Sequence, residues 1–71
     1  MTDNVYKKIE LVGSSTVSSD DAVKNALAKA AKTLKHLDWF EVTEVRGHLA
    51  DGKIAHWQVG VKVGMRVDSA D

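Results

Sequence analysis

Cysteine is absent from this chain, which excludes disulfides and thiolate metal sites at a stroke. An excess of charge of one sign is also missing. Ten basic and ten acidic side chains cancel, and no block of five like charges occurs, so the electrostatic footprint of a nucleic-acid binder is lacking. No run approaches the ~20 apolar residues of a membrane span, and residues 1–18 do not follow the basic, apolar, small-residue order of a secretory signal. The expected compartment is therefore the cytoplasm, without nucleic-acid or membrane partners. Length is short as well: 71 residues make one domain over 1–71, with an ordered core of about 4–67 and short flexible termini. A core of this size rarely supplies more than ~3–5 kcal/mol. With no disulfide to help, self-association is expected.

What is present reads as an α+β chain. From Asn4 to Val12 a β-rich run carries Val5, Tyr6, Ile9, Leu11 and Val12, and Gly13-Ser14-Ser15 is expected to end it. Ser18 then offers a helix cap, Asp21 lies three residues on, and Asp20 suits the positive end of the helix dipole, so a helix is predicted from near Ser19. Its buried stripe is predicted as Val23, Ala26, Leu27, Ala30, Ala31, Leu34 and Leu37, with Lys24, Lys29, Lys32 and Lys35 off that stripe and Lys35 and His36 at its C-terminus. The lysines read first as a solvated face and second as a surface for phosphate.

Two long strands follow, Trp39 to about Ala50 and Lys53 to Val67, joined by Asp51-Gly52, a pair that favours the type I′ hairpin turn. If Ala50 opposes Lys53, opposed residues have numbers that sum to 103. That register gives one face Trp57, Val59, Val61, Val63, Met65 and Val67, opposed by Phe40 and Val42, as the seat of the helix. The other face pairs Trp39 with Gly64, Glu41 with Lys62 as an ion pair, Thr43 with Gly60, Val45 with Gln58 and Gly47 with His56. One helix covers one face only. The Trp39 face is left for solvent, a ligand or another subunit.

An indole beside Gly60 and Gly64, where side chains are missing, forms a flat slot, and interior strand glycines often mark close approach of a ligand. Gln58 on the same face donates and accepts through one amide, as the imide edge of a heteroaromatic ring such as flavin requires. A twofold axis through the slot adds a second indole. The plainer reading is that Trp39 packs at a subunit contact. In the same register His48 and His56 point to opposite faces and His36 lies on the helix, so no metal site is expected. No phosphate loop, nucleophile elbow or paired inward carboxylates occur, and no catalytic residue is assigned.

The run Val5-Tyr6-Lys7-Lys8-Ile9-Glu10-Leu11-Val12-Gly13, then Leu37-Asp38-Trp39-Phe40-Glu41-Val42, Arg46-Gly47-His48, and the tail from Asp51-Gly52-Lys53 through Gln58-Val59 to Lys62-Val63-Gly64 resemble the bacterial dodecins. The resemblance covers residues 4 to 67 without gaps. It implies a β-α-β-β subunit whose three-stranded antiparallel sheet wraps the helix, twelve copies forming a hollow sphere. It further implies flavin pairs on twofold axes, stacked between symmetry-related Trp39 rings, with Gln58 at the polar edge. FMN is the implied ligand, with riboflavin and FAD as alternatives; Arg46 and Arg66 fall where phosphate or chain contacts are expected, and Val45 and His48 beside them. Coenzyme A is a second implied ligand, with Arg66, Lys29 and Lys32 as contacts. His48 stands where archaeal relatives are expected to carry an acidic gate, which favours the bacterial reading. Arg46, however, falls on the helix side in the register above, opposite Trp57, and reaches a flavin only through a bulge, a bent strand or a neighbouring subunit.

The expected function is storage and sequestration of a flavin without its conversion, its excited state quenched by Trp39. The alternatives are a purely structural cage cemented by Trp39, and a flavin-dependent reductase, against which the covering of the ring by Trp39 argues.

Overall fold

In a computed structural model the described residues are 3–67; the flexible termini expected from the sequence lie largely outside them. Four elements follow one another: strand β1 (Val5–Ser15), helix α1 (Ser19–Thr33), strand β2 (Leu37–Ala50) and strand β3 (Lys53–Val67). The strands form one antiparallel sheet in the order β1-β3-β2, so the last strand is the central one. This agrees with the β-α-β-β, three-stranded antiparallel architecture expected from the sequence.

β1 does not stop at Gly13. It runs on to Ser15 because Gly13, Ser14 and Ser15 continue to pair with Val59, Gln58 and Trp57. Gly13 is there for contact, since a Cβ on it would lie 2.0 Å from the Ala22 carbonyl oxygen and 2.9 Å from the Ala26 Cβ. The helix backbone thus rests on the strand at this point. Ser15 then starts the turn: buried, it donates to Asp21 Oδ2 at 2.7 Å and accepts from the backbone N–H of Val17 at 2.9 Å.

Ser18 caps α1 as expected, accepting from the Asp21 N–H at 3.0 Å, with Asp20 and Asp21 in the first turn and Lys32 in the last. The predicted stripe was too wide and too long. The deeply buried positions are Ala22, Ala26 and Ala30, a ridge of methyl groups four residues apart, with Val23 and Leu27 at its border, whereas Ala31 is exposed. Small side chains let the helix sit close on the sheet. It ends at Thr33 because Leu34 leaves helical geometry and His36 turns the chain back at φ 63°, so Lys35 and His36 lie beyond the helix and Leu37 opens β2.

The helix lies over β1 and β3. Ala22 and Ala26 pack on Val59, Val61 and Val63, the three largest fully buried side chains, with Leu11, Leu37 and Trp57 around them. β2 extends past the helix, and its helix-side residues are left open: Phe40 is 48%, Val42 45% and Val45 56% exposed. The predicted seat on Phe40 and Val42 is therefore not filled by the chain's own helix. The long β2–β3 hairpin gives extents of 55 × 20 × 14 Å and a radius of gyration of 14.8 Å, well above the about 11 Å of a compact chain of this length.

Candidate functional site

The Asp51-Gly52 turn has positive φ at both residues, 53° and 75°, as a type I′ turn requires. The register it sets holds for Ala50 and Leu49, opposite Lys53 and Ile54, then changes. A bulge on β3 shifts the pairing by one between Leu49 and His48. A second bulge, between Val42 and Glu44 on β2, restores it. Residues 44–48 are consequently turned over relative to the uniform register.

Five pairings are corrected by this, the first being that Gly47 opposes Trp57 and not His56. Arg46 opposes Gln58, not Trp57, and its Nε donates to Gln58 Oε1 at 3.3 Å. Val45 opposes the buried Val59, not Gln58, and so leaves the Trp39 face. His48 and His56 oppose each other and stack with ring centroids 5.1 Å apart and planes at 21°, not pointing to opposite faces. Glu44, not Thr43, opposes Gly60. The bulge thus delivers Arg46 to the Trp39 face, as one of the routes allowed for it requires.

Trp39 opposes Gly64 as expected, and the indole lies across that glycine: a Cβ there would be 2.1 Å from Cε2, 2.3 Å from Cζ2 and 2.6 Å from Cδ2. Trp39 as a whole is 37% exposed. Because β3 is central, Lys8 of β1 stands on the far side of Gly64, and its Nζ lies over the indole at 5.6 Å from the centroid. The same ammonium pairs with Glu41 Oε1 at 3.4 Å, so Glu41 is bound across the sheet by Lys8 although it opposes Lys62. One row along, Thr43 Oγ1 donates to Glu10 Oε2 at 3.3 Å across the side-chain-free Gly60. Arg46 also approaches Glu44 at 3.6 Å.

Trp39, Gln58, Arg46 and His48 thus share the sheet face turned from the helix. Arg66 lies near its end, exposed, in a cleft of about 250 Å³ with Asn4, Tyr6, His36, Leu37 and Asp38. Lys29 lines a different cleft, of about 300 Å³, above Leu11–Ser14, so within one subunit Arg66 and Lys29 do not converge. Lys8 and Glu10 were missed as site residues. Their signal lay in β3: its alternating Val59, Val61, Val63 and Met65 are the most regular apolar series in the chain, as a central strand would carry, and a central β3 has a neighbour on each side.

Chemically the face offers an aromatic platform under a cation at one end and an amide joined to a guanidinium toward the other. Among the described residues no group of three or more His, Cys, Asp or Glu is placed to hold a metal ion, and no helix is long and apolar enough to cross a membrane.

The family model for dodecin matches residues 5–68. Dodecin of Thermus thermophilus is 50% identical over 64 residues, covering 90% of this chain and 93% of its own. The solved dodecin of Streptomyces coelicolor is 51% identical with a TM-score of 0.91, covering 97% of this chain and 99% of that one. Dodecin from Streptomyces davaonensis follows at 50% identity and a TM-score of 0.89, covering 96% of this chain and 100% of its own. With likeness in sequence and in fold running through both strands and helix, this chain belongs to the dodecin family.

Proposed function

We propose that this chain binds FMN for storage and sequestration, as a cytoplasmic homododecamer in which flavin rings stack on Trp39. The observation that carries the reading is the Trp39–Gly64 pair: an indole laid flat against a strand with no side chain beneath it, and partly open above. A flat, rigid, electron-rich surface of this kind suits a planar heteroaromatic ring, with ~0.5–1.5 kcal/mol of stacking beyond area burial. Gln58 and Arg46 suit the imide edge and the phosphate.

Self-association is part of the same reading. Gly64 and Gln58 are six residues apart on β3, which is ~20 Å along a strand and longer than a three-ring system. One ring can meet an indole and a Gln58 amide only if they come from two copies, as a twofold axis would provide. The uncovered Phe40, Val42 and Val45, and the elongated subunit, support association on the helix side as well.

Storage, and not turnover, is favoured by the chemistry of the slot. The indole covers the ring it binds and, as an electron donor in contact, quenches that ring's excited state. A structural cage, with Trp39 only as cement, is the reading to be separated from this one.

The test is a titration of FMN, and of riboflavin in parallel, following flavin fluorescence with native protein and Trp39→Ala, while light scattering reports assembly. Stoichiometric quenching by native protein, lost in Trp39→Ala with assembly intact, is the expected result. Unchanged fluorescence with both flavins overturns the reading, and loss of assembly in Trp39→Ala assigns the residue to the cage.

A further inference from the structure

The indole of Trp39 has two faces, and one of them rests on Gly64. The Lys8 ammonium also stands over the ring, 5.6 Å from its centroid and tethered to Glu41 at 3.4 Å. Any planar ligand that stacks here meets Lys8. A bare indole face carries the negative side of the ring quadrupole and attracts cations, so a slot made of tryptophan alone would take planar cations at least as readily as neutral rings. The remaining charges on this sheet face do not decide the matter: Lys62, Arg46 and Arg66 stand against Glu10, Glu41 and Glu44. The sign of the field at the ring is set by the charge closest to it.

We propose that Lys8 is the specificity-determining residue of the Trp39 slot: held by Glu41 over the indole, it admits planar rings with acceptor-rich or anionic edges and excludes planar cations. The proposal rests on the stacking site proposed above. Half of the Lys8 side chain is solvent-exposed, so an incoming ring displaces the ammonium sideways on its flexible stem at little cost. From the rim of the slot it then donates hydrogen bonds to ring carbonyl oxygens or to an anionic tail. A cationic ring receives no such bond. It meets a like charge in the place where its own attraction to the indole would have been strongest.

The experiment compares FMN with proflavine, a planar tricyclic cation, by calorimetric titration of the assembled protein in native form and as Lys8→Met and Lys8→Arg. Lys8→Met keeps a similar stem and removes the charge. The expected result is a gain in proflavine affinity of about five-fold or more in Lys8→Met relative to any change in FMN, with the native ratio retained in Lys8→Arg. Native protein in about 1 M salt, where charges reach only ~3 Å, should move toward the Lys8→Met ratio, a measurement that needs no variant to fold. An unchanged ratio in Lys8→Met, or a salt-insensitive native ratio, overturns the assignment. If FMN fails to bind native protein while the proflavine gain is seen, the flavin reading falls and the role of Lys8 stands; if FMN binds and the ratio is unmoved, the reverse holds.

Discussion

Replacing Gly64 with alanine puts the packing of the slot to a direct test. The new Cβ would lie 2.1–2.6 Å from three atoms of the Trp39 ring, where carbon atoms pack at ~3.5–4.0 Å. Either the strand or the ring must move. The strand is paired on both sides, with Lys8 and with Trp39 itself, so the indole is the part that yields, lifting or swinging by more than an ångström. Overpacking of this kind costs about 1–3 kcal/mol. Gly64 is not at positive φ, so alanine also removes unfolded-state freedom and offsets about 0.4–1 kcal/mol of that cost. A net destabilisation of about 1–2 kcal/mol is expected, together with at least a ten-fold loss of FMN affinity because the platform is no longer flat on the sheet. Urea unfolding at one fixed protein concentration reads the first, as an oligomer demands; FMN fluorescence titration reads the second. In a Trp39→Ala background the same substitution should become neutral or stabilising, because the three atoms nearest the new Cβ all belong to that ring. Native-like FMN binding in Gly64→Ala, or an equal destabilisation with and without Trp39, would refute the reasoning.

Gly13→Ala should be far worse than Gly64→Ala, because its Cβ would meet the backbone oxygen of Ala22 and not a movable side chain; a loss of more than about 3 kcal/mol, or failure to fold, is expected on expression and urea unfolding. Ser15→Ala removes the buried hydroxyl that donates to Asp21 and accepts from the Val17 N–H. A loss of about 1–3 kcal/mol is expected by urea unfolding, with flavin binding unaffected in the remaining folded protein. Arg46→Ala frees the Gln58 amide of its guanidinium partner; if Arg46 reaches a phosphate, FMN affinity should fall by about ten-fold while riboflavin changes little, and an equal loss for both flavins would remove that role.

The outline of the fold was legible where local chemistry decides it. Ser18 capped the helix, Asp51-Gly52 made the turn, and the alternation of Val59, Val61 and Val63 marked the core strand. The helix stripe was legible at Ala26 and Ala30 but missed Ala22, because hydrophobicity favours Val and Leu as the contact, whereas the sheet required the smallest side chains at the line of closest approach. A Gly13 directly beneath that line was the hint, since it lets helix backbone touch strand. In the site, Trp39 opposite Gly64 lies beyond the two bulges that flank residues 44–48, where their shifts cancel, and before a third shift between Trp39 and Leu37, so a uniform register placed it correctly.

Arg46 shows what a uniform register cannot supply. Period-two alternation puts residues 45 and 46 on fixed faces, and one extra residue on each strand, placed on either side of a five-residue stretch, inverts only that stretch. No side chain near either bulge announces it: Ala55 and Thr43 are ordinary strand residues, and neither is a glycine. The clue was functional, a guanidinium facing the wrong way for an anion while Val45, an apolar residue, faced the polar side. Inverting 44–48 corrects both at once, bringing Arg46 to Gln58 and Val45 to the side of Val59. It also sets His48 on His56, so the stretch that sequence alternation misassigned is the stretch where the polar end of the candidate site is built. A bulge in this position acts as a re-aiming device: it turns a short segment over without disturbing the aromatic seat further along the same pair of strands.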